Sequence, residues 1–218
     1  MTELYMISSS PLKDEHVFQR VLGRLPVEEQ EKTAQFKSRQ RQRVYVCSRL
    51  LLQQKLKDRG YQLSDCVSGQ YGKLYLKGCR DFYFNLSHSG DMILLGLSDC
   101  EIGVDLEQVR KEIPKRLDRI LSSDELTFLH SQPEEEQKAV FFRLWTMKEA
   151  AVKQKGQRIF DQANQLDMVS EGTFITKRED CFIQTLFLGE WVASVCFREK
   201  EICCLQVKDI NINKLLNI

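Results

Sequence analysis

The 218-residue chain reads as an α+β protein made of two similar α/β halves, residues 1–101 and 102–218, packed into one unit. Three observations predict this. Each half runs strand, helical segments, then strands. Gly90 to Leu97 (GDMILLGL) and Gly189 to Phe197 (GEWVASVCF) echo one another, each a glycine and an acid followed by an apolar strand. No low-complexity stretch or flexible linker lies between the halves, which join near Glu101.

In order, Leu4 to Ser8 reads as a short strand that SSSP ends. Two helical segments follow. The first starts after Pro26, carries Glu28, Glu29, Glu31 and Lys32, and runs towards Phe36. The second, about Gln40 to Lys57, sets Val44, Cys47 and Leu51 on one stripe, widened by Leu52 and Leu56, and stops at Gly60. After the turn-rich SGQYGKLYLKG, Tyr83 to Leu86 reads as strand, SHSG as turn and Met92 to Leu97 as strand. EIGVDLE is a third short strand. PKRLDRIL is helical, and Ser122, Ser123 and Asp124 with Glu125 mark a new helix start. A long helix then opens at Pro133 and closes at Gly156. FITKRED, CFIQTLFL, EWVASVCF and EICCLQV read as strands of a terminal sheet.

Apolar residues make up 42% and charged residues 29%, enough for an ample core. The net charge of +1 advertises no nucleic-acid field, so any anion site is local. The opening MTELYMISSSPLKDE has no basic region leading into an apolar core, and no run is long enough for a membrane span. The eight cysteines form no CxxC pair, and several sit in apolar segments, which suits reduced thiols. A cytoplasmic protein is expected.

Four groups of residues could carry chemistry. Glu149 and Lys153 lie four apart on one helix face, with Trp145 one turn earlier; alone they describe an ion pair on a solvated surface. Asp105 and Glu107 alternate onto one face of a short strand, while Val104 and Leu106 face the core. Those two acids suit either a divalent cation or a solvated edge. Asn85, Ser87, His88 and Ser89 concentrate hydrogen-bonding groups where a strand meets a turn; they suit an anion or simple turn capping. Lys37, Arg39, Arg41, Arg43 and Arg49 form the only dense basic run and the default place for a phosphate. Adjacent Ser and His with no GxSxG elbow make a poor serine-hydrolase case.

QYGK, FNLSHS, IGVDLE and WTMKEAAVK, in that order, resemble the motif series of the surfactin-synthetase type of 4′-phosphopantetheinyl transferase, over about Pro26 to Gly156. The resemblance implies a pseudo-twofold α+β fold with coenzyme A, the co-substrate, bound between the halves. It implies Mg²⁺, with Mn²⁺ as alternative, held by Asp105, Glu107 and Glu149. Lys153 matches the lysine four residues beyond the helix glutamate, and His88 the histidine that contacts coenzyme A phosphate, with Ser87 beside it. Gly72 and Lys73 match the segment beside the adenine; Arg43 and Lys32 resemble basic positions that help hold the 3′-phosphate. Glu149, Lys153 and His88 are then the catalytic set of a holo-acyl-carrier-protein synthase. The implied partner is an acyl- or peptidyl-carrier protein, with neither nucleic acid nor membrane involved, and one chain suffices as a pseudo-dimeric monomer.

Two positions depart from the family pattern. Leu74 stands where proline is frequent, and Gln157–Arg158 replace a Gly-x-Gly after Gly156. The other readings are a non-catalytic coenzyme A or nucleotide-binding module and, less well supported, a nucleic-acid binder using Lys37 to Arg49.

Overall fold

The computed structural model describes residues 2–109, 112–157, 159, 163–179, 181–198 and 205–216. The first half holds β1 (Glu3–Ser8), α1 (Glu15–Leu22), α2 (Val27–Ala34), α3 (Arg39–Lys57), β2 (Cys66–Ser68), β3 (Leu74–Leu76), β4 (Tyr83–Ser89) and β5 (Met92–Ser98). The second holds β6 (Ile102–Gln108), α4 (Ser123–His130), α5 (Glu134–Gln154), β7 (Val169–Ser170), β8 (Thr173–Phe174), β9 (Lys177–Arg178), β10 (Cys181–Leu188) and β11 (Trp191–Phe197). β12 (Val207–Ile210) and α6 (Ile212–Leu216) end the described chain. The fold is α+β.

Both main sheets share one connectivity. An opening strand leads through helices to a hairpin, and it pairs antiparallel with the hairpin's second strand. The orders are β1-β5-β4 and β6-β11-β10. The sequence echo marks the two hairpin turns. Ser89 pairs with Met92 around Gly90–Asp91, and Leu188 with Trp191 around Gly189–Glu190. Gly90 and Gly189 have φ of 59° and 63°, the left-handed backbone that a tight two-residue hairpin asks of its first central residue.

Three apolar clusters follow from the strand and helix periods. Val44, Cys47 and Leu51 of α3 pack on Ile7, Ile93 and Leu95 of the first sheet. Phe142, Met147 and Ala151 of α5 pack on Cys181, Ile183 and Cys196 of the second. The opposite faces of the two sheets meet through Leu4, Leu94, Val104, Leu106 and Val195. Among the described cysteines, Cys47, Cys181 and Cys196 are buried thiols, and burial pushes Cys47 up to about 12; Cys203 and Cys204 lie outside the described residues. No helix among them is long and apolar enough to cross a membrane.

A single glycine sets how closely α5 approaches β6. A Cβ on Gly103 would lie 2.1 Å from the carbonyl oxygen of Ala150 and 2.3 Å from the amide nitrogen of Gln154. The helix therefore rests on bare strand backbone. Gly103→Ala forces the helix outward, so a stability loss of about 1–3 kcal/mol is expected in denaturant titration. An unchanged midpoint would show that α5 can shift at no cost.

Several segments differ from the sequence expectation: FITKRED is split, Phe174 ending β8 against β7 and Lys177–Arg178 forming β9 on β10, and Leu74–Leu76 of the turn-rich segment form β3. α1 is an additional helix, capped by the Asp14 carboxylate, which accepts from the amides of His16 and Val17 at 2.8 and 3.2 Å. SHS is strand, not turn: β4 continues through Ser89 because Ser87 and Ser89 both find partners on β6. PKRLDRIL forms only a 3-10 turn at Leu117–Arg119. Of EICCLQV, residues 201–204 lie outside the described residues, Leu205 and Gln206 are not strand, and Val207 opens β12, which leaves the terminal sheet and pairs parallel with β1, Leu4 opposite Val207.

Candidate active site

β4 and β6 are edge strands of different sheets, and side chains join them. Along β4, Asn85, Ser87 and Ser89 are buried and point to β6, while His88 between them is exposed. Asn85 Oδ1 accepts from the Val104 amide at 2.8 Å. Ser87 Oγ donates to Asp105 Oδ1 at 2.8 Å, and Ser89 Oγ to Glu107 Oε2 at 2.6 Å. Thus FNLSHS and IGVDLE, separated in sequence, form one polar seam.

The seam faces α5. Asp105, Glu107, Trp145, Glu149 and Lys153 line one cavity of about 270 Å³ with Ser87 and His88. Lys153 bonds to the strand more than to its own helix. Its Nζ donates to Asp105 Oδ1 at 2.5 Å and Ser87 Oγ at 3.2 Å, whereas Glu149 Oε2 is 4.0 Å away. The i,i+4 pair on a solvated face is therefore replaced by a half-buried cation among three acids, against a strand that Gly103 lets the helix touch.

Burial dominates the electrostatics. It raises the Asp105 carboxyl above its usual range despite the opposing pull of Lys153. It pushes Glu149 up to about 7, with Asp105 and Glu107 adding to the rise and Lys153 resisting it. Burial alone would lower the Lys153 ammonium, yet Asp105 and Glu149 hold it above its ordinary value. Because Glu149 binds its proton more tightly folded than unfolded, it favours folding below its unfolded value of 4.5. That contribution is lost as pH rises to about 7 and is constant above. In chelator, stability is expected to fall across that window by about 1–3 kcal/mol more in wild type than in Glu149→Gln. Parallel stability profiles of the two proteins would exclude the raised carboxyl.

Three carboxylates against one ammonium leave negative charge in this cavity, and Asp105 Oδ2 is buried without a hydrogen-bond partner. An all-oxygen donor set of this kind fits a hard divalent cation such as Mg²⁺. It is no ready cage. Among the described residues no group of three or more His, Cys, Asp and Glu side chains stands at metal-holding distance. Mg²⁺ asks for less, taking one or two carboxylates and completing its shell with water and substrate phosphate.

A second cavity, about 470 Å³, adjoins the first through Leu86, His88, Glu149 and Lys153 and extends to Ser48, Arg49, Tyr71 and Gly72. Gly72 has φ of 84°, so the YGK turn suits glycine. Lys73 turns back onto the helix: its Nζ donates to the carbonyls of Ile102, Lys153 and Gln154 at 2.9, 2.8 and 3.0 Å. It thereby satisfies carbonyls at the α5 C-terminus. Gly156, φ 66°, leaves no room for a Cβ, which would sit 2.3 Å from Tyr75 Oη. Leu74 opens β3 opposite Ser68; Arg158 lies outside the described residues.

The basic run divides. Arg43 Nη2 stands 3.9 Å from Asp91, and the exposed Lys32 pairs with Glu29 at 3.1 Å; neither lines these two cavities. Arg41 faces a third cavity of about 500 Å³ that Ser48 and His88 also line. His88 is thus common to all three cavities. Ser48 and Ile159 carried no signal at the sequence level, Gln157 stood out only as part of the departure from Gly-x-Gly, and Arg49 was one of five basic residues; helical spacing from Arg41 to Tyr45, Ser48 and Arg49 would have placed them on one face.

Lys148 is a further feature the spacing hid. It and Glu125 are fully buried, Nζ to Oε2 2.6 Å, and Lys148 also donates to the carbonyls of Ala163 and Leu166. Glu125 accepts from the Met168 and Ser122 amides. The pair fastens the segment after α5 to α4, and Lys148 immediately precedes Glu149 in α5.

Comparison with known proteins gives a consistent result. The family model described as the 4′-phosphopantetheinyl transferase superfamily matches residues 101–196, which include β6, α5, β10 and most of β11. The chain is 36% identical over 135 residues to the 4′-phosphopantetheinyl transferase psf-1 of Bacillus pumilus, covering 59% of this chain and 58% of that protein. It is 29% identical over 146 residues to a 4′-phosphopantetheinyl transferase of Bacillus subtilis, covering 62% and 63%. With the 4′-phosphopantetheinyl transferase AcpT of Salmonella typhimurium it shares 38% identity over 115 residues, 51% of this chain and 58% of that protein. The chain thus spans about three fifths of the length of these relatives.

Proposed function

We propose that this chain, similar over part of its length to the 4′-phosphopantetheinyl transferase superfamily, transfers the 4′-phosphopantetheine arm of coenzyme A to a serine hydroxyl of an apo acyl- or peptidyl-carrier protein, releasing 3′,5′-ADP. One observation carries the reading. Asp105 and Glu107 from a strand, and Glu149 and Lys153 from a helix, converge on one cavity with a buried, unbonded carboxylate oxygen, beside a larger cavity lined by the YGK turn.

The chemistry asks for charge neutralisation and positioning. Asp105, Glu107 and Glu149 would hold Mg²⁺, or Mn²⁺ in its place, which supplies positive charge to the pyrophosphate and polarises the attacked phosphorus. Lys153 stabilises the oxygen of the departing 3′,5′-ADP as negative charge grows there. His88, exposed where the three cavities meet, fixes the phosphates. Glu149, pushed up to about 7, is matched to accept the serine proton, directly or through water. The new bond joins serine oxygen to phosphorus, and the bond to the ADP oxygen breaks.

The two halves, 1–101 and 102–218, would then share the site along the β4–β6 seam, so a monomer suffices. A cytoplasmic enzyme serving fatty-acid, polyketide or peptide assembly fits this reading. Incubating the protein with coenzyme A, Mg²⁺ and an apo-carrier should add the mass of one phosphopantetheine to the carrier serine. A carrier mass that never changes, with coenzyme A bound, would reduce the chain to a binding module.

A further inference from the structure

The last turn of α5 carries Lys153 and leaves its final carbonyls to be satisfied from outside the helix. Lys73, on the turn between β2 and β3, reaches them. Its ammonium has three N–H donors, and each finds one carbonyl: Ile102 at 2.9 Å, Lys153 at 2.8 Å and Gln154 at 3.0 Å. We propose that Lys73 is a positioning residue of the transfer reaction, tying the β2–β3 turn to the end of α5 and so setting Lys153 against the cavity wall that this turn supplies. The role rests on the transferase reading above, which makes the placement of Lys153 matter.

The three bonds cross the contact that Gly103 permits. Ile102 precedes that glycine in β6, and the Gln154 amide nitrogen is one of the atoms that a Cβ on Gly103 would meet. The ammonium therefore joins helix to strand beside their closest approach. Lys153 is held at both ends, its ammonium by Asp105 and Ser87 and its carbonyl by Lys73. The β2–β3 turn is closed from within: the Gly69 amide donates to the Lys73 carbonyl at 2.8 Å, and the Gly72 amide to the Gly69 carbonyl at 3.1 Å. Two residues on, Tyr75 lies against Gly156, where a Cβ would come within 2.3 Å of its hydroxyl oxygen. Tyr71, Gly72 and Leu74 line one side of the 470 Å³ cavity, and Lys153, Gly156 and Gln157 line it from the end of α5. With all three donors on backbone, the Lys73 ammonium is committed to α5 and β6 rather than to a ligand. A shift of about 1 Å in a reacting group can cost a hundredfold in rate, so a tie at this point bears on turnover.

Hydrogen exchange and transfer kinetics of wild type, Lys73→Met, Lys73→Gln and Lys155→Met test the tie. The amides of Lys155, Gly156 and Gln157 close the last turn on the carbonyls of Ala151, Lys153 and Val152. Without ligand, Lys73→Met should speed their exchange by about tenfold or more, and leave the middle of α5 protected. At saturating apo-carrier its turnover should fall by about tenfold or more, with KM for coenzyme A raised as well. Lys73→Gln keeps two N–H donors and should recover part of both protection and turnover. Lys155, paired with the exposed Glu179 at 3.0 Å, is a cation at the same helix end that does not touch these carbonyls, and Lys155→Met should match wild type in both. The proposal is overturned if Lys73→Met transfers normally, if it loses turnover with the last turn still protected, or if Lys155→Met does the same damage. If neither Lys73 variant folds, Lys73 is a structural residue and the proposal also fails. A wild type that leaves the carrier unmodified removes the transferase reading instead, and the exchange result still decides the tie.

Discussion

Asp105→Asn is expected to lower phosphopantetheine transfer by about a hundredfold or more while leaving the protein folded. Activity falls because the substitution removes a charged oxygen donor from the centre of the acid cluster, and losses of this order follow removal of one preorganised electrostatic contact. Folding survives because burial disfavours the ionised carboxyl at this position, so a neutral amide of the same shape gives up little. Ser87 still has an acceptor there, and Lys153 still has Glu149 within 4.0 Å. Glu149→Gln should fall at least as far, since it removes both a donor oxygen and the group suited to take the serine proton. Glu107→Gln should lose less, because water can complete a Mg²⁺ shell. Transfer assays across a Mg²⁺ titration, with melting curves alongside, decide the matter. Near-normal turnover of Asp105→Asn at limiting Mg²⁺ would falsify the metal-site reading.

How much of this was legible before the fold depends on whether a residue's period shows its partner. The strand period alone put Asp105 and Glu107 on one face, and the helix period put Trp145, Glu149 and Lys153 on another; all five line one cavity. What neither period could show is that the two faces meet. Gly103 decides that, by letting α5 rest on β6, and a glycine in a strand has no side chain to announce its neighbour. The SHSG segment was misread for a related reason. Local composition reads as turn, but Ser87 and Ser89 belong to a strand because their hydroxyls answer two acids eighteen residues on. The basic run misleads in the opposite sense. Its density marks α3 as a phosphate region, yet only some of its cations face a cavity, and Arg43 and Arg49 separate through long-range contacts with Asp91 and Glu29. β12 pairs with the first strand of the chain across the whole sequence, which no local pattern encodes.

Lys153→Met is expected to separate a structural role for the ammonium from the catalytic one proposed for it. Without metal, its Nζ, 2.5 Å from Asp105, is the cation that offsets a buried carboxylate. Removing it leaves Asp105 buried and unpaired, so a loss of about 3–5 kcal/mol is expected, reduced to the extent that Asp105 takes up a proton. A divalent cation should return much of that stability by supplying the missing charge, and the melting temperature of the variant should rise with Mg²⁺ more steeply than that of wild type. Transfer should behave differently. With the fold restored at saturating Mg²⁺, turnover should stay low, on the order of a hundredfold down, while affinity for coenzyme A changes much less. That pattern follows if the lysine acts where charge develops on the leaving oxygen, since Mg²⁺ can replace its charge beside Asp105 but not its place beside the departing ADP. Lys153→Arg keeps the charge without the compact ammonium and should fold without metal yet transfer poorly. If saturating Mg²⁺ brings Lys153→Met back to wild-type turnover, the lysine is only a placeholder among the acids, and leaving-group stabilisation must come from elsewhere.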